Sequence, residues 1–101
     1  MNTLSSGLHI FARFHTKEGL QAAAAAALRE VVAATRKEHD CLGIDAFGSI
    51  RDPRLFYVHS RWKDEAAFDI HADLPHTVRF VEKMQPLIDH AFEVTRAEPL
   101  R

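Results

Sequence analysis

Seven histidines in 101 residues are the side chains with most chemistry to offer. His71 follows Ala67 and Phe68 by four and three positions, so on a helix its imidazole shares their apolar face. An imidazole that titrates near neutrality suits the removal of a phenolic proton, and the resulting anion is a far better one-electron donor to dioxygen than the phenol. The same position suits a core histidine with both ring nitrogens satisfied. His71 is the first candidate base. His76, directly after Leu74-Pro75, begins the next helical piece and is the second; a histidine there is equally at home in water. Trp62 ends an alternating run, where its ring can wall a pocket or pin the strand while its N–H donates one hydrogen bond, and Phe68 adds an apolar wall. Arg13 shares one side of a period-two run with His9, Phe11 and His15, and Tyr57 and His59 share a side of another with Arg61. If those sides meet a pocket, they supply donors or positive charge to a developing phenolate or superoxide. If they meet solvent or a partner subunit, they are ordinary surface contacts.

Other chemistries lack their residues. His71, Asp73 and His76 are three possible ligands within six positions, but Pro75 breaks the helix and the spacing is not the i, i+4 pair of a helical metal site, so no metal is expected. There is no GxGxxG, GxSxG or phosphate loop, and no cofactor is expected. His39, Asp40 and Cys41 are consecutive, which sends their side chains in different directions. The single cysteine cannot form an intrachain disulfide and reads as a small apolar residue near a helix end, with a regulatory thiol as the alternative. Thirteen Lys and Arg against fourteen Asp and Glu leave a net charge of −1 with no basic block, which argues against a nucleic-acid partner. The opening residues do not read as a secretory signal, and the alanine-rich run Leu20 to Leu28 is too short to span a bilayer. The expected setting is the cytoplasm, without membrane attachment.

These side chains need elements to position them. Leu8 to His15 alternates as a strand; Thr16 offers a cap, with Glu18 at the positive end of a helix expected over Leu20 to Glu38. The helical stripe runs through Leu20, Ala24, Ala27, Leu28, Val31 and Ala34, with alanines suited to close packing on a sheet. Asp40 to Gly43 ends it, Ile44 to Ile50 alternates, Asp52-Pro53 turns the chain, and Leu55 to Trp62 returns as the second arm of a hairpin. Asp64 caps a helix over Glu65 to Ala72, Pro75 interrupts it, His76 to about Gln85 continues, and Ile88 to Ala97 forms the last strand. This βαββαβ order predicts one ferredoxin-like split βαβ α+β domain over residues 1–101, with a four-stranded antiparallel sheet. Phe11, Phe47 and Tyr57 fall opposite Ile10, Ala46 and Phe56 by parity, so both sheet faces carry apolar residues. A second copy packed sheet against sheet is the simplest cover, and a charge at Phe47 or Phe92 is expected to impair assembly or folding.

One segment of about forty residues carries a further pattern: Cys41-Leu42-Gly43, Asp52-Pro53, Phe56, Ser60, Trp62, Asp64-Glu65-Ala66, His71, His76 and Phe80. It resembles the antibiotic biosynthesis monooxygenase family, in particular its small quinol monooxygenase-like members, and Trp62 with His71 nine residues later is the most specific part. The acidic residue that often precedes that tryptophan in the family is here Arg61 or Ser60. The resemblance implies a dimeric α+β barrel, a homodimer with an apolar pocket in each subunit. It also implies a monooxygenase that uses no metal or flavin to oxidise a small phenolic, aromatic or quinol substrate with molecular oxygen. A non-catalytic binding or regulatory dimer is the runner-up. Haem degradation ranks last, because the haem-handling branch wants an asparagine on the first strand, a tryptophan where His71 stands and an axial histidine near Val81, and none is present.

Overall fold

A computed structural model describes residues 7–100. Strand β1 (Leu8–His15) leads to helix α1 (Gln21–Thr35), then come β2 (Cys41–Gly48), β3 (Leu55–Trp62), α2 (Glu65–Ala72), α3 (Pro75–Met84), a short 3-10 turn and β4 (Glu93–Ala97). The sheet order is β2-β3-β1-β4, antiparallel throughout, which is the ferredoxin-like arrangement expected from the element order.

The alternation of β1 sorts the two faces. Ile10, Ala12 and Phe14 are buried and look toward the helices, where Ala24, Leu28, Val31 and Val32 of α1 and Met84 of α3 complete the main core. A smaller apolar group, Ile10, Trp62 and Ala67 with Leu8, Cys41 and Phe68 against it, lies under α2. The alanines let α1 sit close to the sheet, and Ala24 is fully enclosed. Arg36 then ties the helix end to β2, donating from Nε and Nη2 to the Ile44 carbonyl at 3.2 and 3.0 Å.

Several boundaries differ from expectation. Thr16 does not cap α1: Gly19, at φ 85°, turns the chain, the Leu20 amide bonds to the Lys17 carbonyl, and the helix begins at Gln21 with no side-chain cap and Glu18 outside it. Thr16 is instead fully buried and bridges to Ile88. Helix α1 stops at Thr35 rather than Glu38, and β2 starts at Cys41 rather than Ile44, absorbing a register shift between Cys41 and Gly43. Strand β4 starts at Glu93 rather than Ile88, because Asp89 is drawn into contacts with His15 and Arg54. Asp64 does cap α2, its carboxylate accepting from the Ala67 amide at 2.9 Å, and Pro75 opens α3.

Candidate active site

Between the sheet and helices α1, α2 and α3 lies a cavity of about 260 Å³. Ile10, Ala12, Phe14 and Val58 form its floor, Val31 and Thr35 belong to α1, Phe68, His71 and Ala72 to α2, and Thr77, Phe80 and Val81 to α3. Phe14 meets Phe80 edge to face at 5.7 Å between centroids and stacks on Phe92 at 5.1 Å, so an aromatic wall closes one side. The polar groups on this lining are few: Ser60, Thr35, Thr77 and the imidazole of His71.

His71 lies in the last turn of α2, one turn past Ala67, and is nearly buried as its spacing implies. Trp62 packs behind it at 4.5 Å between ring centroids, and Phe68 sits at 5.6 Å. The indole N–H of Trp62 donates to Ser60 Oγ at 2.9 Å, so Trp62 is itself completely enclosed and backs the imidazole from outside the cavity lining. Burial holds the His71 pKa below the usual histidine value; Glu38 opposes that effect and His76 adds to it.

The sequence reading missed the group that orients this base. The Glu38 carboxylate lies 2.7 Å from His71 Nδ1 and 2.7 Å from His76 Nε2, both through the same oxygen. Glu38 occupies the connection after α1, where its amide bonds to the Thr35 carbonyl and its own carbonyl accepts from the Cys41 amide. Both bonds fix it beneath the junction of α2 and α3. With Nδ1–H given to Glu38, His71 keeps its Nε2 lone pair, and Nε2 has no hydrogen-bond partner among the described residues. A carboxylate on one nitrogen that fixes the tautomer and steadies the imidazolium once the other has taken a proton is the arrangement used by hydrolase triads. Thr77 Oγ1 stands 3.3 Å from the same Nδ1.

The structure thus gathers His71, His76, Trp62 and Phe68 at one end of the domain, with His76 beside Glu38 and outside the cavity lining. It does not bring Arg13, Tyr57 and His59 there. They lie on the opposite sheet face, where Arg13 pairs with Tyr57, Phe11 pairs with His59, and His9 Nδ1 meets His59 Nε2 at 3.0 Å. β1 and β3 turn alternate residues to opposite faces, which sets these three side chains on the face away from the helix-side cavity. Among the described residues, two sets of side chains converge closely enough to hold a metal ion, Glu38 with His71 and His76, and His15 with Asp89 and His90. The first replaces the Asp73 considered from spacing with a carboxylate 33 residues upstream of His71. Cys41 packs against both apolar groups, and burial pushes its thiol up, away from the reactive thiolate.

Residues 7–83 match the sequence model of a family described as antibiotic biosynthesis monooxygenase. The chain belongs to the antibiotic biosynthesis monooxygenase family. A Bacillus subtilis protein named "Putative monooxygenase YcnE" is 30% identical over 70 residues, which cover 69% of this chain and 74% of that protein. A crystal structure of an antibiotic biosynthesis monooxygenase superposes with a TM-score of 0.88 at 29% identity, covering 93% of this chain and 99% of the other. The crystal structure of PA3566 from Pseudomonas aeruginosa gives 0.89 at 28% identity, covering 99% and 100%. Family membership and the related monooxygenase support a monooxygenase-type function.

Proposed function

We propose that this member of the antibiotic biosynthesis monooxygenase family oxidises a small phenolic or quinol aromatic with dioxygen, without flavin, haem or metal, and works as a cytoplasmic homodimer. The observation that carries this reading is the Glu38-oriented His71 on the wall of an apolar cavity. A dry cavity of about 150 Å³ holds benzene, so 260 Å³ accommodates one or two fused rings. His71 Nε2 takes the phenolic proton, Glu38 stabilises the imidazolium, and the anion passes one electron to dioxygen. The radical pair joins as a peroxide on the ring, and loss of water leaves the quinone.

The homodimer is supported by the uncovered sheet face, where Phe11, Phe47 and Tyr57 are 48%, 53% and 40% exposed. The cytoplasmic assignment rests on a lone cysteine held in its thiol form, in a chain whose described residues form no helix long and apolar enough to cross a membrane. One observation favours the non-catalytic binding dimer: among the described residues no arginine or lysine lines the cavity, so superoxide would meet no fixed positive charge there beyond His71 itself. Oxygen uptake with a panel of hydroquinones, naphthols and catechols separates the two. Uptake that survives dialysis against a chelator supports the cofactor-free reading. Uptake lost to chelator and restored by a divalent metal assigns Glu38, His71 and His76 to a metal instead, and saturable binding without uptake assigns a binding module.

A further inference from the structure

The end of β1 remote from His71 gathers a second set of titratable side chains that the proposed oxidation does not use. Trp62, which backs His71, pairs with Leu8 at the start of β1, whereas His15 is the last residue of that strand, about 23 Å further along it. There Asp89 Oδ2 stands 2.7 Å from His15 Nδ1, Asp52 Oδ2 stands 3.0 Å from His15 Nε2, and His90 Nδ1 adjoins Asp89 Oδ1. The backbones beneath these groups are tied together. The Asp89 amide donates to the His15 carbonyl at 3.0 Å, the Thr16 amide to the Arg54 carbonyl at 2.8 Å, and Arg54 Nε to the Thr16 carbonyl at 2.8 Å. Three segments of chain are thereby fixed relative to one another, which pre-organises the side chains they carry.

A proton on each nitrogen of His15 satisfies both aspartates, but a neutral imidazole has one N–H for two carboxylates. Its other nitrogen then turns a lone pair on a carboxylate oxygen, and His90 turns a second ring nitrogen on the same Asp89 carboxylate. A divalent cation removes that conflict. We infer that His15, Asp89 and His90 bind a zinc-type transition-metal ion, with His15 ligating through Nδ1 while Asp52 accepts from Nε2–H. A carboxylate on the far nitrogen is the usual partner of a metal-bound histidine, because it fixes the tautomer and the ring orientation. One donor atom from each of the three ligands lies within 4.8 Å of the others. Tetrahedral ligands at zinc distances stand about 3.3 Å apart, and His90, whose side chain is half exposed, is free to close the difference. Two imidazoles with one carboxylate suit zinc and its neighbours rather than magnesium or calcium, and leave the fourth position to water. Arg54 Nη2 donates to Asp89 Oδ2 at 3.1 Å, which leaves Oδ1 for the ion. The bound ion clamps the end of β1 to the connection that leads into β4, far from the cavity.

Calorimetric titration of chelator-treated, dialysed protein with zinc chloride at pH 7.5 tests this. The parent should take up one equivalent that His90→Ala, a change at an exposed side chain, loses, and that His76→Ala, which breaks the Glu38 cluster, keeps. Asp52→Asn should weaken binding about 10–100-fold. The imidazoles must be unprotonated to bind, so affinity should fall at least about tenfold between pH 7.5 and pH 6. At free zinc ten times its Kd, the parent's melting midpoint should rise by about 5–10 °C at pH 7.5, and that of His90→Ala should not. Zinc should give no such rise at pH 5, the reverse of the trend that the ion pairs of His15 produce alone. A parent that takes up no zinc, or a His90→Ala isotherm equal to the parent's, overturns the inference. So does an equivalent lost in His76→Ala and kept in His90→Ala, which assigns the zinc to Glu38, His71 and His76.

Discussion

Replacing Glu38 by Gln perturbs the site at a single point. The carboxylate oxygen serves two imidazoles at 2.7 Å each and is largely enclosed, with its side chain 14% exposed. An amide keeps the shape and removes the charge; its oxygen accepts more weakly, and its NH₂ group favours the wrong tautomer of His71. The comparable exchange in a carboxylate–imidazole pair costs about four orders of magnitude in turnover. Here the phenolic proton is more acidic than a serine hydroxyl, so a loss of about 10²–10⁴ is expected, equivalent to about 3–5 kcal/mol at the transition state. KM should barely move, because Glu38 is absent from the cavity lining. Weakening two charge-assisted bonds should cost about 1–2 kcal/mol of stability, or about 5–10 °C in melting midpoint for a chain of this size. The pH profile adds a sign. His71 works when neutral, so activity rises as pH climbs through its pKa, which burial has already lowered. Glu38 pulls that pKa upward, so Glu38→Gln should move the acid limb to still lower pH. Stopped-flow oxygen consumption from pH 4.5 to 8 reads both effects. A variant with the parental rate and an unmoved acid limb refutes the orienting role of Glu38.

His71 is not the only histidine with a pH signature. His15 is held by Asp89 at 2.7 Å and Asp52 at 3.0 Å, which raise its pKa; the Arg54 amide first and His15 second lower that of Asp52, and His15 lowers that of Asp89. The stability His15 adds is complete below about pH 6.5 and fades as pH rises through its raised value, while that of the two aspartates fades as pH falls below about 4. The midpoint difference between parent and His15→Gln should therefore peak near pH 5–6 and vanish in alkali. Phe47→Asp should give a folded monomer in ultracentrifugation at micromolar concentration, because Phe47 is exposed on the open sheet face. Phe92→Asp should instead cost about 2–4 kcal/mol by thermal melting, because Phe92 lines the cavity against Phe14. Asp64→Ala removes the only side-chain cap found on α1, α2 or α3, and should lower the midpoint by about 4–8 °C in the same assay.

Periodicity made the fold legible, because Leu8 to His15 and Leu55 to Trp62 alternate cleanly and Asp64 and Pro75 punctuate the second half. Thr16 misled because an N-cap signal is local, whereas Gly19 was the residue to heed: its left-handed φ makes a turn between Thr16 and the first residue of α1, Gln21. His71 was legible from its spacing to Ala67 and Phe68. Glu38 was not, since it reaches His71 across 33 residues from a connection whose course depends on the register of β2. Arg13, Tyr57 and His59 were correctly grouped by parity, but parity alone does not say which face the helices cover.

The role of His71 as base is read from His71→Phe, with single-turnover oxygen consumption and melting midpoint taken on one chelator-treated preparation. Phenylalanine fits among Trp62, Phe68 and the cavity wall, while His76 still bonds to Glu38. The stability loss should therefore stay within about 1–3 kcal/mol, and the single-turnover rate should fall by about two to four orders of magnitude with ligand binding little changed. A folded His71→Phe protein that consumes oxygen at the parental rate contradicts the account.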